Sequence, residues 1–290
     1  MIIDIHTHPW YSELPKEKPV LSRPSTRDIT EFVDFSDQLV DKMDRLGIDV
    51  SVVISSIDLS DELLAKIIEK HPDRLVGFTC RFPSLDPELT ERELDALDRG
   101  IKDFGFKGIK LLPLFQALPF DSPALRPILE KANELRVPVV LDCWSIAYGF
   151  EPVTMDPRFK GLKAYEKITS DSHNLIRLTS SNLLDGLPNL TVIAAHCGGD
   201  AFLFPDAIGE EKMKQIYFDT AAIHSTYGLK RIHMAIDLIG ADRILFGSDD
   251  WIQDCPHTQE AILNAIKQLG LREEEERKIL AENAAKILNL

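Results

Sequence analysis

Short runs of apolar, often β-branched residues recur along the chain and are separated by longer amphipathic segments. Such a run is typical of a buried strand, and apolar residues three and four positions apart are typical of a helix packed on one face. Eight runs are predicted as strands: Ile2–His6, Val50–Ser55, Leu75–Cys80, Gly108–Leu112, Pro138–Asp142, Leu190–His196, Ile216–Thr220 and Arg243–Ser248. Strands that alternate with helices predict a parallel sheet of βα units. Eight units in 290 residues, with no Gly/Ser-rich linker, predict an α/β fold, a single-domain (β/α)8 TIM barrel over residues 1–290.

The amphipathic segments predict the helices around the barrel: Ile29–Leu46, Asp61–Lys70, Glu88–Phe104 and Pro123–Leu135. The tail, residues 274–290, also has the pattern of a helix, which we expect to pack against the outside of the barrel. Two connections, residues 9–27 and 145–172, are longer than a plain barrel needs. Loops that follow barrel strands gather at the catalytic face, so we expect these two to form substrate walls.

Composition narrows the classes of partner. Lys and Arg number 33 against 47 Asp and Glu, a formal net charge of −14, and the only dense charge run, Arg272 to Lys278, is mostly Glu. Proteins that bind nucleic acid or anionic lipid normally carry basic patches, so both are excluded as expected partners. No apolar stretch approaches the roughly 20 residues of a membrane span, and the first residues do not resemble a signal peptide. We expect a cytoplasmic protein whose four widely spaced cysteines are reduced thiols.

The strongest local signal is the sequence Asp4-Ile5-His6-Thr7-His8. Residues i and i+2 of a strand point to the same face, so His6 and His8 can bind one metal ion together. Taken alone, two histidines at this spacing are more often surface or hydrogen-bonded residues.

Further polar residues lie in the last part of other predicted strands or directly after them: Lys110, Asp142, His196 and Asp249. Each taken singly is more readily explained as a helix cap or a satisfied buried group. Together they fall at the carboxyl ends of strands, where barrel enzymes assemble their sites. The sequence therefore predicts a metal site at the C-terminal face of the strands.

The chain resembles the metal-dependent amidohydrolase superfamily, in the amidohydrolase-2 branch of aminocarboxymuconate semialdehyde decarboxylase-like enzymes. The resemblance spans nearly the whole chain, and its motifs are short but specific in their order. They are the Asp4 to His8 opening, Gly108-Ile109-Lys110-Leu111, His196-Cys197-Gly198-Gly199, Tyr217-Phe218-Asp219-Thr220, Gly247-Ser248-Asp249 and the Glu282 to Leu288 helix. The resemblance implies that His6 and His8 are metal ligands, that His196 is a catalytic histidine, and that Asp249 is both a ligand and the general base.

One position departs from the family pattern, because Asp142 stands where relatives usually present a metal-binding histidine after the fifth strand. Asp142 is predicted to be a ligand itself, which gives a set of two histidines and two aspartates. The alternative is a three-ligand site, with Asp142 paired to Lys110. A second carboxylate would make the centre less positive and a weaker Lewis acid.

Three residues near the predicted mouth are candidates for substrate binding: Lys110, Arg81 and Trp144. Lys110 supplies a cation, with an ion pair to Asp142 or Asp249, or a carboxylated lysine between two metals, as alternatives. Arg81 can bind a substrate carboxylate in bidentate fashion, and structural pairing with an acid is equally consistent with the sequence. Trp144 can wall the pocket, although an aromatic residue is more often packing. Asp4 shares strand parity with His6 and is expected to orient the ligand histidines.

The leading functional hypothesis is a metal-dependent hydrolase of a small amide, lactone or related carboxylated or cyclic substrate. Asp249 would take a proton from metal-bound water, and His196 would stabilise the oxyanion. The alternative is a metal-dependent, non-oxidative decarboxylase of a small unsaturated or aromatic acid, and a third hypothesis is a catalytically inactive binding barrel. The expected cofactor is one divalent ion, Zn²⁺ first and Mn²⁺ as the alternative. The expected partner is a small molecule, and relatives in this branch often form homodimers.

Overall fold

The structure is a computed structural model, and it describes residues 1–13, 31–113, 118–143, 174–222, 226–252 and 258–290. Most of the two long connections predicted from the sequence, and Trp144, lie outside these ranges.

Eight parallel strands form one sheet, in the order in which they follow one another along the chain. They are β1 Ile3–Thr7, β4 Val50–Ile54, β5 Leu75–Arg81, β6 Gly108–Leu111, β7 Val139–Leu141, β8 Val192–Ala194, β9 Ile216–Asp219 and β10 Ile244–Leu245. The first and last strands approach each other, and Ile5 N donates to Phe246 O at 2.9 Å. The (β/α)8 TIM barrel predicted from the sequence is confirmed, and each predicted strand overlaps an observed one.

Helices surround the sheet. Those in the described ranges are α1 Ser36–Leu46, α2 Asp61–Lys70, α3 Pro87–Lys102, α4 Arg126–Leu135, α5 Asn174–Ser180, α6 Pro205–Ile208, α7 Glu210–Met213, α8 Thr226–Ile239, α9 Gln259–Gln268, α10 Glu273–Arg277 and α11 Asn283–Leu288. Side chains at the first residues fix where some of them begin: Asp86 caps α3 by accepting from Glu88 N at 2.9 Å, and Thr258 caps α9.

The helix predicted over Ile29–Leu46 is wrong in its first part. Residues Glu31–Asp34 form strand β3, which pairs antiparallel with β2, Trp10–Glu13, and α1 begins only at Ser36. The pairing partner comes from the distant connection after β1, so local periodicity did not reveal it. The predicted loop over residues 9–27 accordingly begins as a strand.

Two hydrophobic clusters hold the barrel. One lies between the strands and the helices and includes Met43, Ile109, Phe218 and Ile279. The other gathers alternate strand residues on the inner face, Val140 and Tyr217 among them, and also the helical residues Ala284 and Leu288. The tail therefore packs on the outside, as predicted, through Ile279, and it also reaches the inner cluster through α11.

Candidate metal centre

A register shift in β1 aims two histidines into the barrel. Asp4 pairs with Ser51, whereas Thr7 pairs with Val53, so one extra residue of β1 lies between these two points. Such a bulge re-aims the side chains that follow it. Ile3 and Ile5 join the inner cluster, and after the bulge the rings of His6 and His8 meet edge to face, with centroids 5.1 Å apart.

Each ring has its Nδ1 atom occupied by an acceptor. His6 Nδ1 lies 2.8 Å from Asp219 Oδ2, and His8 Nδ1 lies 2.8 Å from the carbonyl oxygen of Ile54. Donation from Nδ1 fixes the tautomer and leaves Nε2 with a lone pair for a metal ion. Burial, together with the charge of Lys110, lowers the pKa of His6 to about 4, so its imidazole is neutral, as a ligand must be.

Asp249 completes the group from the end of the eighth barrel strand. Its backbone is left-handed, with φ 62°, and its N–H donates to the carbonyl oxygen of His6 at 2.8 Å. Its Oδ1 lies 3.2 Å from His8 Nε2 and 3.8 Å from His6 Nε2. Burial alone would raise the pKa of this carboxyl, but its contact with His8 and the electrostatic influence of the other nearby histidines lower it below its ordinary value.

Among the described residues, His6, His8 and Asp249 form the buried cluster that can hold a metal ion. Their ligand atoms all lie within 4.8 Å of one another. Two imidazole nitrogens and a carboxylate oxygen are donors that Zn²⁺ and Mn²⁺ both accept. His6, His8 and Asp249 are thus brought together as the sequence analysis expected.

Lys110, Asp142 and His196 form a second group beside the first. Lys110 Nζ lies 3.4 Å from His6 Nε2 and 3.7 Å from Asp142 Oδ2, and Asp142 Oδ1 lies 3.8 Å from His196 Nε2. Asp142 is outside the three-residue cluster and beside Lys110, which is the arrangement of the three-ligand alternative. Its role as a ligand stays a prediction.

His196 is held on a strained turn. Residues 196–200 all have positive φ, and His196, Cys197 and Asp200 adopt this conformation although they are not glycine. The backbone N–H of His196 donates to Asp219 Oδ1 at 2.8 Å, and Asp200 forms an ion pair with the buried Arg231 of α8. The turn thereby orients the ring of His196 towards His6, and the centroids of the two rings are 5.6 Å apart.

The net charge of the buried side chains at the site also suits a divalent cation. Asp142, Asp219 and Asp249 carry three negative charges, against the single positive charge of Lys110, and all four side chains are at most 7% exposed. A net charge of −2 is costly to bury unless a cation balances it. A divalent ion would bring this sum to zero.

Asp219 is the main site residue that the sequence analysis did not assign. It ends β9, and its two oxygens accept from His6 Nδ1 and from His196 N, so one carboxylate fixes both histidine-bearing segments. Its Oδ1 also accepts from Ala221 N at 3.1 Å. Burial by itself would raise the pKa of Asp219, but its interactions with His6, His196 and Lys110, which include the hydrogen bond from His6, lower it. Its position at the end of a barrel strand was the signal that could have found it.

We expect Asp219→Asn to weaken metal binding by about 10- to 100-fold, the usual effect of losing the acceptor behind a ligand histidine. Asp219 accepts from His6 with one oxygen and from backbone N–H groups with the other. An amide has one accepting atom, so one of the two sets loses its partner. Equilibrium dialysis against Mn²⁺ measures the change, and unaltered affinity would show that Asp219 does not orient His6.

Asp4 supports the site differently from what was expected. Because of the bulge, its carboxylate faces the helix layer, where it accepts from Gln259 Nε2 at 3.0 Å and Ser248 Oγ at 2.6 Å. It reaches His6 only through the backbone N–H, at 3.1 Å. Burial raises the pKa of Asp4 to about 7.

The prediction that Arg81 binds substrate is corrected by its surroundings. Arg81 pairs in register with Leu111, one position beyond the pair formed by Cys80 and the inward Lys110, so its side chain points away from the barrel interior. The guanidinium is buried, with Nη2 2.9 Å from Asp61 Oδ2 and 2.7 Å from the carbonyl oxygen of Ala96. Arg81 joins the outer helices to β5, the structural pairing left open by the sequence.

Arg81→Met is therefore expected to destabilise the fold by about 3 kcal/mol or more, because it leaves the buried Asp61 carboxylate without its cation. Urea unfolding measures this loss. The KM of the folded variant for its substrate should not change, and a KM raised tenfold or more with stability intact would return Arg81 to the substrate site.

No helix within the described ranges combines the length and the apolar character that a bilayer span requires.

Comparison with known proteins agrees with the fold. Gamma-resorcylate decarboxylase of Polaromonas sp. strain JS666 is 26% identical, over 90% of this chain and 89% of the relative. 2-Amino-3-carboxymuconate-6-semialdehyde decarboxylase of Dictyostelium discoideum is 23% identical, over 81% of this chain and 67% of the relative. The crystal structure of dihydroxybenzoic acid decarboxylase from Polaromonas sp. JS666, with bound manganese and the inhibitor 2-nitroresorcinol, superposes with a TM-score of 0.66 at 19% identity. That superposition covers 100% of this chain and 97% of the other.

A family model described as amidohydrolase matches residues 3–290, which include every strand of the barrel and all three residues of the buried cluster. The chain belongs to the amidohydrolase family.

Proposed function

We propose that this chain is a metal-dependent, non-oxidative decarboxylase of a small unsaturated or aromatic acid. The observation that carries the proposal is the buried cluster of His6, His8 and Asp249, with the cation of Lys110 and the imidazole of His196 beside it. The decarboxylases among the relatives make this chemistry the best-supported use of that cluster.

The hydrolase predicted from the sequence is wrong. The curated relatives are decarboxylases that act on different acids, a resorcylate and a carboxymuconate semialdehyde. The same ligands, general base and histidine serve hydrolysis and decarboxylation, so the residues alone favoured neither reaction.

His6, His8 and Asp249 would hold the divalent ion, with Asp142 as a further candidate ligand. When bound, the ion supplies a Lewis acid that attracts the oxygen atoms of an acid substrate and stabilises negative charge on them. Mn²⁺ is the ion to test first because a solved relative was crystallised with it, and Zn²⁺ is the alternative.

Lys110 is suited to attract the substrate. Its ammonium group is 3% exposed and lies 3.4 Å from His6 Nε2, at the edge of the cluster. A buried ammonium interacts strongly with a carboxylate because little water screens the charges. Asp142, 3.7 Å away, keeps Lys110 in place without occupying all three of its N–H donors.

Decarboxylation needs one proton at carbon. The proton adds to the carbon that bears the carboxylate, and the carbon–carbon bond then breaks, so that its electron pair restores the unsaturated system as CO2 leaves. We assign delivery of this proton to Asp249 or His196, because both lie beside the rings of the ligand histidines. Asp249 is ionised, so it must first accept the proton from the substrate or solvent and then pass it on.

The test is release of labelled CO2 from small acids that carry ¹³C in the carboxyl group, with 2,6-dihydroxybenzoate as the first of them. Protein loaded with Mn²⁺ or Zn²⁺ is expected to release CO2 from at least one acid, and chelator-treated protein is expected to release none. Hydrolysis of a lactone or amide by the loaded protein, without CO2 release from any acid, would contradict the proposal. Bound metal without either reaction would favour the inactive barrel.

A further inference from the structure

We propose that Trp251 is a positioning residue that holds two of the three candidate metal ligands, and that its indole N–H fixes the Asp249 carboxylate for the metal ion. The inference rests on the metal centre of the proposed function but not on the reaction that the centre catalyses.

Trp251 makes two separate contacts with the cluster. Its ring stacks on the ring of His8, with centroids 4.2 Å apart and planes 25° apart. Its Nε1–H donates to Asp249 Oδ1 at 3.1 Å. That oxygen is also the one that lies 3.2 Å from His8 Nε2, so a single side chain touches both partners of this contact.

The backbone around Trp251 is held in a defined turn by contacts that do not involve the Trp251 side chain. Asp249 and Ile252, on either side of the segment, have φ values of 62° and 66°. Between them, the buried Asp250 accepts from Ile252 N at 2.7 Å and Gln259 N at 2.9 Å, and it forms an ion pair with Lys42. A turn held in this way presents Trp251 in one orientation, so little conformational entropy is lost when a metal ion binds.

A neutral N–H suits this position. It hydrogen-bonds to a carboxylate more strongly than to a neutral acceptor, and it carries no positive charge that would repel an incoming cation. A lysine or arginine at the same place would fix the carboxylate but would oppose metal binding.

Trp10 provides a matched comparison. Its ring also meets His8, edge to face at 5.1 Å, and lies 5.9 Å from Trp251. Within the described residues its buried Nε1 has no hydrogen-bond acceptor. Replacement of either tryptophan by phenylalanine therefore keeps an aromatic ring beside His8, but only at position 251 does it remove a hydrogen bond to a candidate ligand.

The experiment measures Mn²⁺ affinity of the purified full chain by titration calorimetry, with the melting temperature as a control for folding. Trp251→Phe is expected to weaken Mn²⁺ binding by about tenfold, in the range for hydrogen bonds to charged groups, and Trp10→Phe by less than about twofold. The electron paramagnetic resonance spectrum of bound Mn²⁺ should also differ between Trp251→Phe and the unaltered protein, because the carboxylate is less constrained. Trp251→Leu loses the stacking as well and should bind Mn²⁺ at least as weakly. It replaces Trp251→Phe in the test if that variant fails to fold.

Equal affinity in Trp251→Phe and the unaltered protein would overturn the inference, and so would an equal loss in Trp10→Phe, which would assign the effect to ring packing. If the unaltered protein binds no Mn²⁺, the metal centre of the proposed function fails as well. Metal binding without decarboxylation would leave the role of Trp251 intact and remove only the reaction.

Discussion

Replacement of both His6 and His8 by alanine is expected to abolish stoichiometric metal binding while the barrel stays folded. The two imidazoles are two of the three donors in the buried cluster, and one remaining carboxylate does not hold a divalent ion against water. Decarboxylation should fall to background for the same reason. Atomic emission measures the metal content, and far-ultraviolet circular dichroism shows whether the barrel stays folded.

A double variant of His71 and His233 is the matched control, since it also removes two imidazoles. His71 follows α2 and pairs with Asp37 of α1, and His233 pairs with Asp237 within α8, so neither lies at the metal centre. This control should retain its metal. Full metal content in a folded His6→Ala/His8→Ala protein would remove the centre described here.

Asp249→Asn is expected to lower kcat by about 10²- to 10⁴-fold, the usual contribution of a proton-transferring side chain. Asparagine keeps one oxygen for the ion and for the N–H of Trp251, but it cannot accept and return a proton at neutral pH. Activity should therefore fall much further than metal content does. Steady-state kinetics and metal analysis of the same preparation give the comparison.

The control is Asp242→Asn. Asp242 is exposed and forms an ion pair with Lys278, so this variant loses a carboxylate away from the site. If the turnover of Asp249→Asn stays within a few-fold of that of the unaltered enzyme, the proton transfer must be assigned to His196 instead.

The barrel could be predicted from the sequence because each strand is short, apolar and separated from the next by a helix. The exceptions have one cause, which is pairing between segments far apart in sequence. Strand β3 pairs with β2, and its helix-like periodicity gave no sign of this partner. The bulge in β1 is set by its register against β4, and it separates Asp4 from the face that His6 occupies.

The candidate site was predictable where a residue's place at a strand end was enough. The spacing of His6 and His8 and the place of Asp249 after a strand indicated a shared site, and the family resemblance implied that they are ligands. The structure brings the three residues together. Arg81 was misplaced because its position near the end of a strand did not by itself show which face it occupies, and the register of β5 against β6 places it on the opposite face from Lys110. Trp251 could not be found, since its contact with Asp249 depends on a left-handed turn that the sequence does not signal.

An anomalous difference map from crystals grown with Mn²⁺, recorded at the manganese absorption edge, tests the metal centre most directly. We expect one strong peak within coordination distance of His6 Nε2, His8 Nε2 and the Asp249 carboxylate, and the same map shows whether Asp142 is a further ligand. A map with no peak at these three residues, or with a peak bound by other side chains and not by them, would rule out this metal centre.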